Sequence, residues 1–213
     1  MANANRPERQ LIEGTPVLLV IDIQASTFID DRKVRSIDNM PGYRERMSKA
    51  RKAVDGARDA GIPVIFVQEV HRPDGIDFGR ELDGEEDVHC LEDRPGTALA
   101  VAEMGIVLSD YMVPKRRYSA FFGTDLEILL KGLRANTLLM VGGLTDVCVH
   151  YTFADGHQHD YFCRVIEDCV AGSSLEAHEA SLRAMEYLQT GARRSLAETL
   201  QAMAAHGRAR QAA

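Results

Sequence analysis

Thr137-Leu138-Leu139-Met140-Val141-Gly142-Gly143-Leu144-Thr145-Asp146-Val147-Cys148-Val149 decides how this chain is read. The apolar start reads as a buried strand, the paired glycines as a tight exit, and Cys148 onward as the opening of a helix. A cysteine in the first turn of a helix meets unpaired backbone N–H groups and the positive end of the helix dipole, and both favour thiolate. A cysteine nucleophile is the chemistry to test against the rest of the chain.

Outward from that stretch the pattern repeats. Val17-Leu18-Leu19-Val20-Ile21-Asp22 reads as a fully buried strand. Pro41 suits a helix start, Met47, Ala50, Ala53, Val54 and Ala57 recur at helical spacing, and Gly61 follows as the stop. Pro63 to Val67 is the next strand, and residues 69–96 form a charged connection long enough to be functional or a lid. Ile106 to Val113 reads as a third strand ending at Pro114-Lys115, with Thr124 and Glu127 as a capping box for a helix through Leu133. Phe162 to Ile166, a helix from Glu176 to Leu188, a short strand near Arg193 and a helix from Leu196 to Ala205 complete the chain. Strands alternating with helices predict an α/β fold, a three-layer α-β-α sandwich with a mostly parallel sheet. A single domain over residues 1–213, with its core at about 14–195, fits the length.

Composition removes whole classes of function. Of 213 residues 45% are hydrophobic and 27% charged, as in ordinary soluble enzymes. A formal net charge of -7 without a basic face argues against a nucleic-acid partner. No apolar run approaches the ~20 residues of a membrane span, and the first ten residues lack a signal-peptide core. The four cysteines, Cys90, Cys148, Cys163 and Cys169, form no C-x-x-C pair, which suits reduced thiols in a cytoplasm.

In parallel sheets the ligand site lies beyond the carboxyl ends of the strands. Asp22 and Gln24, Gln68 to His71, Lys115 and Cys148 all fall at such ends. Taken singly, Asp22 could be a turn former, Lys115 a solvated charge and Cys148 a small core residue. Together they offer a nucleophile (Cys148), a general acid/base (Asp22) and a cation that lowers the thiol pKa (Lys115). Gln24 faces the same side as Asp22, and the backbone N–H groups of Leu144 and Cys148 are candidates for an oxyanion hole.

The motifs Leu-Val-Ile-Asp22-Ile-Gln24, Lys115-Arg-Arg-Tyr-Ser-Ala-Phe121 and Gly142-Gly143-Leu-Thr145-Asp-Val-Cys148-Val149 resemble the isochorismatase-like cysteine hydrolase superfamily. The likeness runs on through Thr152, Asp155, Tyr161 and Asp168. The resemblance implies a catalytic triad of Asp22, Lys115 and Cys148 and a cis peptide at Gly143–Leu144 that aims the Leu144 N–H at the oxyanion. It also implies a homodimer or homotetramer acting on a small-molecule amide or ureide. Candidate substrate contacts are Gln24, Phe28, Glu69, His71, Tyr118 and Tyr151, with Phe121 and Phe122 either walling the pocket or filling the core.

Metal and histidine alternatives are weighed by spacing. Cys148 and His150, like His157 and His159, stand two apart and point about 200° away from each other on a helix, so they cannot act as pairs. Nicotinamidases in the superfamily hold a divalent metal with Asp-x-His beyond the second strand. Here that stretch reads Gln68-Glu69-Val70-His71, without the Asp. His89 and Cys90 could join Glu69 and His71 around zinc, yet nothing in the spacing demands it. The expectation is therefore no metal and no cofactor, and hydrolysis of a linear C–N bond through a thioester. The isochorismatases that cleave a vinyl ether lack the cysteine, so their reaction is disfavoured. Nicotinamidase- or maleamate-type activity, or a non-catalytic redox or binding protein on the same fold, are the alternatives.

Overall fold

The computed structural model describes residues 10–30, 37 and 39–212. Six strands form one sheet: β1 (Pro16–Ile21), β2 (Val64–Glu69), β3 (Tyr111–Lys115), β4 (Thr137–Gly143), β5 (Phe162–Ala171) and β6 (Arg193–Arg194), in the order β3-β2-β1-β4-β5-β6. Every neighbouring pair is parallel, so the sheet is wholly rather than mostly parallel. The helices are α1 (Tyr43–Asp59), α2 (Val101–Met104), α3 (Leu126–Gly132), α4 (Cys148–Gln158), α5 (Leu175–Leu188) and α6 (Leu196–Gln211).

The continuous apolar run of β1 is explained by its place at the centre, where both faces are covered. Val17, Leu19 and Ile21 pack with Val149 and Phe153 of α4 and Leu182 of α5. Leu18 and Val20 point the other way, onto Met47, Ala50 and Val54 of α1 and Met203 of α6. Truncating one of these side chains to alanine costs about 2–5 kcal/mol through lost burial and the cavity left behind.

Strand order places the site. The chain builds outward from β1 through β2 to β3, then returns to pair β4 with the other side of β1. Crossovers leave in opposite directions there, and a crevice opens beyond the carboxyl ends of β1 and β4. Gly142 closes that junction with φ 121, and a Cβ on it would run into the Ile21 carbonyl oxygen. Only glycine fits.

The structure corrects several local readings. Ile106 to Asp110 is a surface turn after α2, with Val107 and Leu108 exposed, and β3 begins only at Tyr111. Thr124 forms no capping box: Asp125 is the N-cap, and the Thr124 hydroxyl donates to the Ala120 carbonyl. A capping box does form at Ser195 and Glu198, ahead of α6. The connection after β2 folds back on the sheet, the His71 N–H donating to the Cys90 carbonyl at 2.7 Å and the Glu92 N–H to the His71 carbonyl at 2.8 Å.

Candidate active site

Asp22 leaves β1 in the left-handed region, φ 53, a conformation that aspartate tolerates better than most residues. Its Oδ1 accepts the Glu69 N–H at 2.7 Å, which ties the first turn beyond β1 to the end of β2. Glu69 and Lys115 are register partners at the ends of β2 and β3, so their side chains emerge side by side. Lys115 Nζ, fully buried, sits 2.5 Å from Glu69 Oε2, 3.0 Å from Asp22 Oδ2 and 3.4 Å from Cys148 Sγ. Cys148 is the first residue of α4, and its Sγ lies 3.4 Å from Glu69 Oε2. Asp22, Lys115 and Cys148, far apart in sequence, thus share one buried ammonium. Sequence reasoning put Glu69 beside the substrate; the structure puts it inside the charge cluster.

One cation among two carboxylates and a thiol sets the protonation pattern. Burial pushes the Asp22 carboxyl up to about 6, with Lys115 pulling it down and Glu69 pushing it further up. Burial acts the same way on Glu69, but Lys115 and hydrogen bonds from His71 and His89 overcome it and hold that carboxyl well below the usual range. Burial drives the Cys148 thiol well above its ordinary value against the pull of Lys115, and Glu69 and Asp22 add to the rise. The resting thiol is therefore protonated, contrary to the thiolate expected from the helix start. Removing that proton requires an acceptor in reach. The Asp22 carboxylate, the Glu69 carboxylate and Cys148 Sγ lie within 4.8 Å of one another.

The cluster floors a cavity of about 510 Å³. Of the predicted substrate contacts, Gln24, Glu69 and Tyr118 line it, as do Gly143 and Leu144. Phe28, His71 and Tyr151 do not. Phe28 packs beneath Arg44, His71 is wholly buried behind the wall, and Tyr151 lies half-exposed, stacked on Tyr118. Gln24 has little left to offer a ligand, because its Nε2 donates to the Glu69 and Thr97 carbonyls and its Oε1 faces the Cys90 thiol. Phe121 packs against the core and Phe122 is exposed, so neither walls the cavity.

The Gly143–Leu144 peptide is cis. Around it the N–H groups of Thr145, Val147 and Val149 are spent on carbonyl oxygens, whereas among the described residues no hydrogen bond occupies those of Leu144 or Cys148. Thr145 is held by His178 Nδ1 at 2.9 Å and Asp146 by the Ser173 N–H at 2.9 Å, fixing the turn from behind. Thr152 and Asp155 brace the Tyr118 segment by taking the Ala120 N–H and the Ser119 hydroxyl. Tyr43, at the start of α1, also lines the cavity and was missed in the sequence. No spacing signal marks it; its role is set by its approach to Gly143, where a Cβ would strike its hydroxyl.

A second cluster backs onto the first through Glu69. Glu69 Oε1 lies 2.7 Å from His89 Nε2 and 3.3 Å from His71 Nε2, and His71 Nε2 is 3.3 Å from Glu81 Oε2. His71, which lacks the Asp-x-His partner of nicotinamidases, has Glu69, Glu81 and His89 around it instead. One donor atom from each of Glu69, His71, Glu81 and His89 falls within 4.8 Å of the others, all four residues being buried. Neither Glu81 oxygen has a hydrogen-bond partner among the described residues. Two imidazoles and two carboxylates suit a divalent cation such as zinc, so the residues fit a metal that spacing alone did not demand. Cys90, weighed as a ligand, is not in the group. His157 and His159 part company as expected, the first toward Gln189 and the second onto Phe121.

Fold and site together define a parallel α/β protein with a thiol, two carboxylates and an ammonium gathered at its central strand ends. The isochorismatase domain matches residues 16–198, and the chain belongs to the isochorismatase family. The ureidoacrylate amidohydrolase RutB of Stutzerimonas stutzeri is similar, 32% identical over 158 residues, which are 66% of this chain and 63% of that one. The chain thus spans less than two thirds of that relative's length. The uncharacterized isochorismatase family protein YwoC of Bacillus subtilis is 31% identical over 78% of this chain and 82% of its own. Among solved structures, N-carbamoylsarcosine amidase from Thermoplasma acidophilum superposes with a TM-score of 0.68 at 26% identity, covering 85% of this chain and 96% of that one.

Proposed function

We propose that the protein is a cysteine-dependent amidohydrolase that cleaves a linear C–N bond of a small ureide or amide, of the biuret, triuret or carbamoyl-amino-acid type. The observation that carries this reading is the buried ammonium of Lys115, 3.4 Å from Cys148 Sγ and 3.0 Å from Asp22, both of which line the cavity. Kinship with an amidohydrolase and an amidase supports it.

In this mechanism ionised Asp22 takes the Cys148 proton as Sγ adds to the substrate carbonyl carbon. The carbonyl π electrons move onto oxygen, which the Leu144 and Cys148 N–H groups receive. The tetrahedral intermediate collapses, the C–N bond breaks, and Asp22 returns its proton to the departing nitrogen. Asp22 then deprotonates a water that attacks the thioester, releasing the acid or carbamate and restoring the thiol. Lys115 steadies the negative charge that passes between sulfur and Asp22, and Glu69 holds Lys115 in place. Glu69, His71, Glu81 and His89 would hold a divalent cation, which would add positive charge behind the cavity wall and keep Glu69 ionised beside Lys115.

That second cluster favours one further reading, hydrolysis of nicotinamide or a maleamate-type amide. Ammonia release screened across biuret, triuret, carbamoyl-amino acids, maleamate and nicotinamide separates the two. Absence of Cys148-dependent release from every one of them sinks the amidohydrolase reading and leaves a redox or binding protein. We place the protein in the cytoplasm as one domain assembled into a homodimer or homotetramer. Free cysteines and the exposed Phe122, Ile128 and Tyr151 support this. No helix among the described residues is long and apolar enough to cross a membrane.

A further inference from the structure

Glu86, in the connection between β2 and α2, lines the cavity beside Val88 and His89. Its Oε2 is shielded from solvent yet has no hydrogen-bond partner among the described residues. Buried acceptors are nearly always paired, and an unpaired one on a residue that lines a cavity marks where a donor from outside would fit once the side chain turns toward it. Several polar groups on the same wall are already spent. His89 lies between the Asp87 carbonyl and Glu69, the Thr97 hydroxyl donates to the Leu91 carbonyl, and the Gln24 amide is committed on both sides. Glu81, the other carboxylate with open oxygens, faces His71 rather than the cavity.

Glu86, Tyr118 and Cys148 line the same cavity. Burial raises the Tyr118 hydroxyl above its usual range, and the charges that add to the rise include those of Glu86 and Cys148. A ligand with its carbonyl over Cys148 therefore shares that enclosure with Tyr118 and Glu86. Burial raises the Glu86 carboxyl above its ordinary value, with His89 pulling it back; where it is ionised it only accepts, so the end that reaches it must carry N–H.

We infer that Glu86 is a specificity-determining residue, selecting substrates with an N–H donor remote from the scissile carbonyl, as biuret and triuret have and carbamoyl-amino acids and simple acyl amides lack. The inference rests on the amidohydrolase reading and names which of its substrates the wall admits.

Biuret and N-acetylurea form a matched pair, because a methyl group replaces the distal amino group. In the wild-type protein kcat/KM for ammonia release should favour biuret by roughly tenfold or more, the size expected when a site built for a hydrogen bond meets an analogue lacking it. Glu86→Leu should shrink that ratio about tenfold, chiefly through KM for biuret, and Glu86→Gln, which keeps an acceptor oxygen, should restore most of it. An unchanged ratio in Glu86→Leu overturns the inference. If the wild type releases ammonia from neither compound, calorimetric titration of both into the Cys148→Ala protein decides. Tighter binding of biuret that Glu86→Leu removes upholds Glu86 while the hydrolysis of these ureides falls. Equal or undetectable binding of the two overturns Glu86 as well.

Discussion

The two oxygens of Glu69 look onto different kinds of construction. Oε2 faces Lys115 and Cys148, groups delivered by the ends of short buried strands and the first residue of a helix. Oε1 faces His89 and His71, and beyond them Glu81, all supplied by the connection after β2. On the first side the sheet register alone brings the charges together; on the second, a loop has to fold back on itself. Charge placement by strand ends is therefore rigid and costly to disturb, while the histidine side is a separable attachment. That difference can be broken experimentally.

Removing the nucleophile should have the largest effect. Cys148→Ala is expected to lower ammonia release by roughly 10³-fold or more, as loss of a nucleophile does in other hydrolases, with an unchanged circular dichroism spectrum. Asp22→Asn should do nearly as much, because an amide cannot accept the thiol proton. A Cys148→Ala protein with near-normal turnover would move the chemistry elsewhere in the cavity.

Next comes the ammonium. Lys115→Met leaves two buried carboxylates without their shared cation, and breaking a buried pair costs about 3–5 kcal/mol, readable in urea denaturation. His89→Ala on the other side of Glu69 removes a hydrogen bond at 2.7 Å and should cost only about 1–3 kcal/mol. If His89→Ala is as damaging as Lys115→Met, the two sides are not separable and the comparison fails.

The same contrast explains what could be read from the chain. The meeting of Asp22, Lys115 and Cys148 was legible because each lies where an apolar run stops, and parallel strands align such stops along one edge. Ile106-Val107-Leu108 misled for the converse reason: local apolarity says strand, but those residues turn across the surface with Leu108 fully exposed. Thr124 carried a capping pattern, and its hydroxyl does accept the Leu126 N–H, but Glu127 turns to the Tyr161 hydroxyl and Lys131, so the box never closes. Glu81, Glu86 and Tyr43 carry no periodic or spacing signal. Their positions follow from long-range contacts such as the His71–Leu91 bridge, which no window of sequence contains.

Metal addition sharpens the histidine side. Zinc added to the chelator-treated protein should raise Tm, since a ligand bound only by the native state at a hundredfold excess over Kd contributes about 2.7 kcal/mol. The double variant His71→Ala/His89→Ala should lose that response. A rise in Tm that survives the double variant would place the binding elsewhere.

The smallest effect per step, and the most specific to the ammonium side, is the acid limb of the rate. Asp22 must be ionised to receive the Cys148 proton, and its carboxyl is raised to about 6 by burial, against the pull of Lys115. Below that value the carboxyl is protonated and the base is lost, so kcat/KM should fall about tenfold for each further unit of pH and level off above it. Weakening the burial separates this account from titration of the substrate. Leu144→Ala opens the cavity wall near the cluster, and partial hydration of Asp22 should move the limb toward lower pH. A limb that stays fixed in Leu144→Ala while moving with the pKa of different substrates would take Asp22 out of the proton path.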